Sequence, residues 1–250
     1  MLEAILAQYQ SPETLWLVLT ILIAGLVRGF AGFGSALIYI PIASLFMPPA
    51  QVIFALMIFD FPGQLPLVKD AFKNAHMPEV LRLTLGAAFG VPLGVWLLTQ
   101  VDPYIFRWLV SGMVVFMVIA IGTGWRYQGE AGKYLPVGIG ASSGFLGGFL
   151  GIGGPPIILF YLGGQNNPTR IRANIILFFL FDGIFSALNF AYQGLMTWQG
   201  FTTGLTLIPP YFIAIMIGAR LFKMFGDAHF RVVAVVIISL AAIIGLPLFD

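Results

Sequence analysis

The chain has 250 residues, of which 59% are hydrophobic and 9% charged, against about 25% charged in an ordinary soluble domain. That balance excludes a soluble globular fold and predicts an all-α integral membrane protein, because several apolar stretches reach the roughly 20 residues a helix needs to cross a lipid bilayer. The net charge of +2 gives no sign of a nucleic-acid partner, and a chain without cysteine has no disulfide or thiol chemistry.

Before the first apolar run the N-terminus carries only Glu3 and Glu13 as charges. It lacks the basic region of a signal peptide and so reads as mature protein. Eight apolar segments follow, at 15–46, 51–68, 80–99, 104–123, 134–162, 173–193, 198–222 and 230–248. They divide four and four around a polar stretch, Arg126 to Lys133, that holds Gly129 and Gly132. Such composition marks a boundary, and the expected organisation is one membrane domain of two repeats, 1–125 and 134–250, with 126–133 as the linker.

Segments 1 and 5 are too long for one straight span, and each is broken by glycines. Gly25, Gly29, Phe30, Gly32 and Gly34 fall, at a shift of 119 residues, onto Gly144, Gly148, Phe149, Gly151 and Gly153. Further on, Gly94, Phe106 and Arg107 fall onto Gly218, Phe230 and Arg231 at a shift of 124, so a small insertion separates two registers of one repeat.

Basic residues orient the spans. If every segment crosses, Arg107, Arg170, Arg172, Arg220, Lys223 and Arg231 oppose Lys69, Lys73, Arg82, Arg126 and Lys133 with no bias. If segment 5 instead returns to its own side, only Arg107 opposes the other ten, which is the asymmetry the positive-inside rule expects. The repeat then makes segment 1 a hairpin as well and puts both termini outside. Each half becomes a broken re-entrant segment plus three spans, so the halves are expected to be inverted, with their glycine tips meeting near the bilayer midplane.

Half-helices starting near Ser35 and Pro155 would aim free backbone N–H groups and the positive ends of their dipoles at the tips, which suits an anion. The candidate substrate contacts are Gly29, Gly32, Gly34, Ser35, Gly148, Gly151, Gly153 and Gly154, where a missing Cβ lets a ligand reach the backbone. The plainer alternative, close helix packing, applies above all to Gly25, Gly29, Gly144 and Gly148 with their four-residue spacing.

Arg28 lies inside segment 1 beside the tip, where a charge is a functional candidate by default, and its counterpart in the second half is Gly147. It either holds an oxyanion or pairs with a buried carboxylate. Asp60 and Asp182 are the available partners, and both are equally candidates for proton coupling. Gln64 and Asn174, with Asn189, are secondary polar candidates. His76 and His229 read as solvated loop residues and no metal site is expected. Pro155-Pro156 suits a helix start and Pro209-Pro210 a kink. An enzyme would need a catalytic constellation that is missing, so no cofactor is expected. A cation transporter or channel would place carboxylates at the site, against which Arg28 argues.

At these residues the chain resembles the TauE/SafE sulfite exporter family, the sulfite and sulfonate anion permeases. The resemblance covers nearly the whole chain and includes Arg28-Gly-Phe-Ala-Gly-Phe-Gly34 and Gly148-Phe-Leu-Gly-Ile-Gly-Gly-Pro155. Many members end the motif in three glycines, and Ser35 and Pro155 depart from that. The resemblance implies a secondary transporter for a small sulfur-containing anion, such as sulfite or an organosulfonate, in a bacterial inner membrane, with sulfite export as the leading activity. A potential of about 100 mV, negative inside, drives a divalent anion outward by roughly 4.6 kcal/mol without coupling. Uptake of an organosulfonate, carboxylate or other anion would need a coupled proton, bound at Asp60 or Asp182.

Overall fold

The computed structural model describes residues 12–31, 34–123, 132, 134–162, 167–225 and 243–245. Among them all long elements are helices, in the order α1 Pro12–Ala31, α2 Ser35–Ala43, α3 Pro49–Asn74, α4 Met77–Gln100, α5 Pro103–Gly122, α6 Leu135–Leu150, α7 Gly154–Leu162, α8 Pro168–Tyr192 and α9 Trp198–Phe225. The two segments expected to be broken are α1 with α2 and α6 with α7. Segment 8 apart from 243–245, the linker apart from Gly132, Gly32 and His229 lie outside the described residues. Pro209 and Pro210 lie inside α9 without ending it.

Four stretches, Met77–Gln100, Pro103–Ala120, Thr169–Tyr192 and Trp198–Gly218, are long and apolar enough to cross a membrane, and α3 makes a fifth if its bent halves count as one span. Helix α4 shows why the surroundings must be lipid. One face buries Val80, Leu83, Ala87 and Val91, while the other leaves Leu81, Leu85, Phe89 and Leu93 exposed. A helix apolar on both faces is stable only if one of them meets protein and the other hydrocarbon.

The chain forms two compact units, and each draws on both halves of the sequence. One comprises Met1–Asp60, Asp102–Ile119 and Met196–Asp250; the other comprises Phe61–Val101 and Ala120–Leu195. In the first unit α1 packs along α9, in the second α4 packs along α6. Glycines set how close these pairs come. A Cβ on Gly29 would lie 2.2 Å from the Ile215 carbonyl oxygen, and one on Gly148 would lie 2.7 Å from that of Val91. Gly25 and Gly144 bear in the same way on the Tyr211 and Ala87 carbonyls, and Gly218 and Gly94 on those of Leu26 and Phe145. Shifting α1 by 119 and α4 by 124 turns each contact of one unit into the matching contact of the other.

Both breaks turn on glycines with positive φ, a backbone that side chains rarely adopt. Gly34 precedes α2 with φ 104°, and Gly151 ends α6 with φ 71° while its N–H and that of Ile152 return to the Gly147 and Leu146 carbonyls. At the second break the chain doubles back. The Ser143 hydroxyl donates to the Gly153 carbonyl ten residues on, a separation that a straight helix would stretch to about 15 Å.

Candidate functional site

In the first unit the break gathers four polar side chains. Arg28, in the last turn of α1, holds Asp60 Oδ2 at 3.0 Å with its Nη2 and donates from Nη1 to the Ser35 hydroxyl at 3.3 Å. Ser35 in turn donates to Asp60 Oδ1 at 3.5 Å, and the Tyr211 hydroxyl donates to the same oxygen at 2.5 Å. The Tyr211 ring is fixed edge-on to Phe59, and Phe59 edge-on to Tyr39, with centroids 4.9 Å apart in both pairs. This aromatic wall holds the carboxylate in place, and the carboxylate holds the guanidinium.

The cluster keeps an opening. The Arg28 side chain is 22% exposed and that of Asp60 15%. No side chain caps the start of α2, so its first N–H groups have no partner within the helix. Guanidinium, hydroxyl and uncapped helix start are all donors, a set that suits a small oxyanion.

The second break, in the other unit, has a different chemistry. Gly147 stands where Arg28 would be, and a Cβ on it would lie 3.3 Å from Asp182 Oδ2. Asp182 is 7% exposed, and its Oδ1 makes no hydrogen bond. Helix α7 opens Gly154-Pro155-Pro156, and the two prolines remove two of the N–H donors that the start of α2 retains.

The remaining candidates divide. Gly29 and Gly148 lie against the backbone of α9 and α4, Gly34 and Gly151 make the turns, and Gly153 and Gly154 lead into α7. Asn174 belongs to a polar cluster that sequence reasoning missed. Its Nδ2 donates to Glu79 Oε1 at 3.2 Å and to the Tyr161 hydroxyl at 3.0 Å, and its Oδ1 accepts the His76 N–H at 2.8 Å. Tyr161 donates to Glu79 Oε1 at 2.5 Å, so the cluster ties α4, α7 and α8 together. A carboxylate in the first turn of a span reads as a solvated helix end; only the facing Tyr161 reveals its role. The His76 side chain is 48% exposed. Asn189 bonds the Phe185 carbonyl of its own helix, and the side chain of Gln64 lies outside the described residues. No group of three His, Asp or Glu side chains among the described residues could hold a metal ion.

The family profile described as Sulfite exporter TauE/SafE matches residues 17–244, which takes in both breaks and both units. The chain belongs to the TauE/SafE sulfite exporter family. The protein is therefore a membrane transporter. It is 24% identical, over 231 residues, to a protein of Cupriavidus necator described as a probable sulfite/organosulfonate exporter TauE, covering 86% of this chain and 87% of the relative. No solved structure matches it significantly.

Proposed function

We propose that this TauE/SafE protein exports a small sulfur oxyanion, sulfite foremost and organosulfonates with it, across a bacterial inner membrane, with both termini outside and both broken segments re-entrant. The observation that carries this reading is Arg28. A guanidinium sits at a helix break with the Ser35 hydroxyl and the uncapped start of α2 beside it. Sulfite presents three oxygens to these donors, and it competes with Asp60 for the Arg28 fork rather than meeting a bare cation. Gly32, Gly34 and Ser35 make up the site on this side, and Gly29 supports it by letting α1 lie against α9. Gly151, Gly153 and Gly154 make a second, donor-poor surface for the anion, and Gly148 supports it by letting α6 lie against α4. The named substrates of the Cupriavidus necator relative support this class of cargo.

Each negative charge that leaves gains about 2.3 kcal/mol per 100 mV, which favours export over uptake. The test is sulfite efflux from proteoliposomes under an imposed potential, negative inside, comparing the native chain with Arg28→Ala and with the double variant Arg28→Gln/Asp60→Asn. The single variant leaves a buried carboxylate unpaired and can fail through folding, whereas the double variant removes both charges. Potential-driven flux lost in both variants is the expected result. Flux restored in the double variant would make Arg28 a structural partner of Asp60 and sink the anion-site reading.

A further inference from the structure

We propose that Asp182 is a proton-binding site that ties one proton to each anion carried. The inference rests on reading the chain as an anion transporter, and it separates two aspartates that look alike in sequence. Both lie within apolar segments, 122 residues apart. Asp60 is held by Arg28, Ser35 and Tyr211. Asp182 has no hydrogen-bond or ion-pair partner among the described residues, and its carboxylate faces the second break at Gly147.

The surroundings carry the argument. In the repeat Gly147 takes the place of Arg28, so the cation that neutralises Asp60 has no counterpart at Asp182. The prolines at the start of α7 withdraw donors as well. The other described charged or titrating side chains of the unit, apart from its tyrosines, are Lys69, Asp70, Lys73, Glu79, Arg82, Arg170 and Arg172, in the last turns of α3 or the first turns of α4 and α8, and His76, between α3 and α4. Arg172, the nearest along α8, is ten residues from Asp182, or about 15 Å of helix. From α6, Asp182 is met by Gly147, which has no side chain to offer.

A buried carboxylate with no partner is costly in its ionised form, and in the membrane interior more so. A proton is the smallest group that removes the charge. An oxyanion touching the second break meets Asp182 beside it, and two like charges there repel. Protonation lifts that repulsion, so proton and anion favour each other's binding, and by linkage the favour is mutual. They then travel in the same direction. Asp182 takes a proton on one side and releases it on the other, and no bond within the anion changes. Sulfite carried with one proton still moves one net negative charge, so the membrane potential continues to drive its export. A sulfonate carried with one proton moves none.

Methanesulfonate, which stays a singly charged anion at working pH, gives the test. In proteoliposomes of the native protein its flux is expected to follow a pH gradient and ignore an imposed potential, one pH unit sustaining an about tenfold anion gradient at equilibrium. In Asp182→Asn the dependence is expected to reverse, with flux following the potential and not the pH gradient. Gly147→Arg, which restores the missing guanidinium against the carboxylate, is expected to do the same. A transport-free readout is the infrared carbonyl stretch of a protonated carboxylic acid in the purified protein, expected in the native chain and lost in both variants. Native flux that follows potential alone, a sodium gradient in place of the pH gradient, or an infrared band that survives Asp182→Asn each overturns the proposal. If the native chain carries neither methanesulfonate nor sulfite, the transport reading fails, while the infrared band still decides whether Asp182 holds a proton.

Discussion

Asp60 and Asp182 differ in what removing their charge should cost. Asn at position 60 leaves the Arg28 guanidinium without its counter-charge in a mostly buried site, a loss of about 2–3 kcal/mol on the scale of broken charged hydrogen bonds. Asn at position 182 replaces a buried carboxyl group that has no hydrogen-bond partner at Oδ1, so the folded state should lose nothing and can gain. Thermal unfolding of the detergent-solubilised protein should therefore show a lower midpoint for Asp60→Asn by several degrees and an unchanged or higher one for Asp182→Asn. Equal losses would mean that Asp182 has a partner after all. Both aspartates and Arg28 were legible in the sequence, because a charge in an apolar run stands out. Which carboxylate Arg28 chooses was not, since the choice depends on the fold bringing α3 and α9 to the end of α1. Tyr211 left no trace either: an aromatic residue inside an apolar segment reads as packing until its hydroxyl is seen on Asp60.

Between elements, glycine spacing decides how closely helices approach. Gly86, Gly90 and Gly94 place their missing Cβ atoms 1.9, 2.1 and 2.3 Å from the carbonyl oxygens of Val137, Ala141 and Phe145, one glycine per turn along α4 against α6. No side chain fits there without forcing the backbones apart, and overpacking of this kind costs about 1–3 kcal/mol or more. Gly90→Ala should thus lower the yield of monodisperse protein in size-exclusion chromatography and its survival on heating. Gly112→Ala and Gly138→Ala, where a Cβ meets nothing within 4 Å, should be neutral or stabilising by up to about 1 kcal/mol through helix propensity. If all three behave alike, the close approach of α4 and α6 is not what holds the second unit. The duplicated glycines were visible as a repeat in the sequence, but their duty was not, since one pattern serves a ligand and a facing backbone equally. The structure sets Gly25, Gly29, Gly144 and Gly148 against backbone, whereas Gly34 and Gly151 supply the turns. Gly86 and Gly90 escaped notice because the repeat does not copy them: at the shift of 124 they fall onto Pro210 and Ala214.

At the scale of the whole molecule, the two halves exchange partners. The broken segment of the first half packs on α9, the third helix of the second half, and the broken segment of the second half packs on α4, the third helix of the first. Neither half can bury its glycine face alone, which is why the compact units do not follow the boundary at 126–133 that composition suggests. A repeat holding an odd number of crossings must enter the membrane in opposite senses, and re-entrance of the broken segments, as proposed above, would make the number odd. The positive-inside rule favours that count, since it would gather Lys69, Lys73, Arg82, Arg170 and Arg172 on one, cytoplasmic, side. The absence of cysteine allows a direct check with single introduced thiols at Gly132 and Thr169, which flank the second broken segment. An impermeant reagent applied to intact cells should leave Gly132→Cys and Thr169→Cys both unlabelled, and both should react once the cytoplasmic face is opened. Reaction of the two from opposite faces would show that α6 and α7 together cross the bilayer, making the crossings even in each half and the repeat parallel; the anion would then have to be sought without two opposed re-entrant tips.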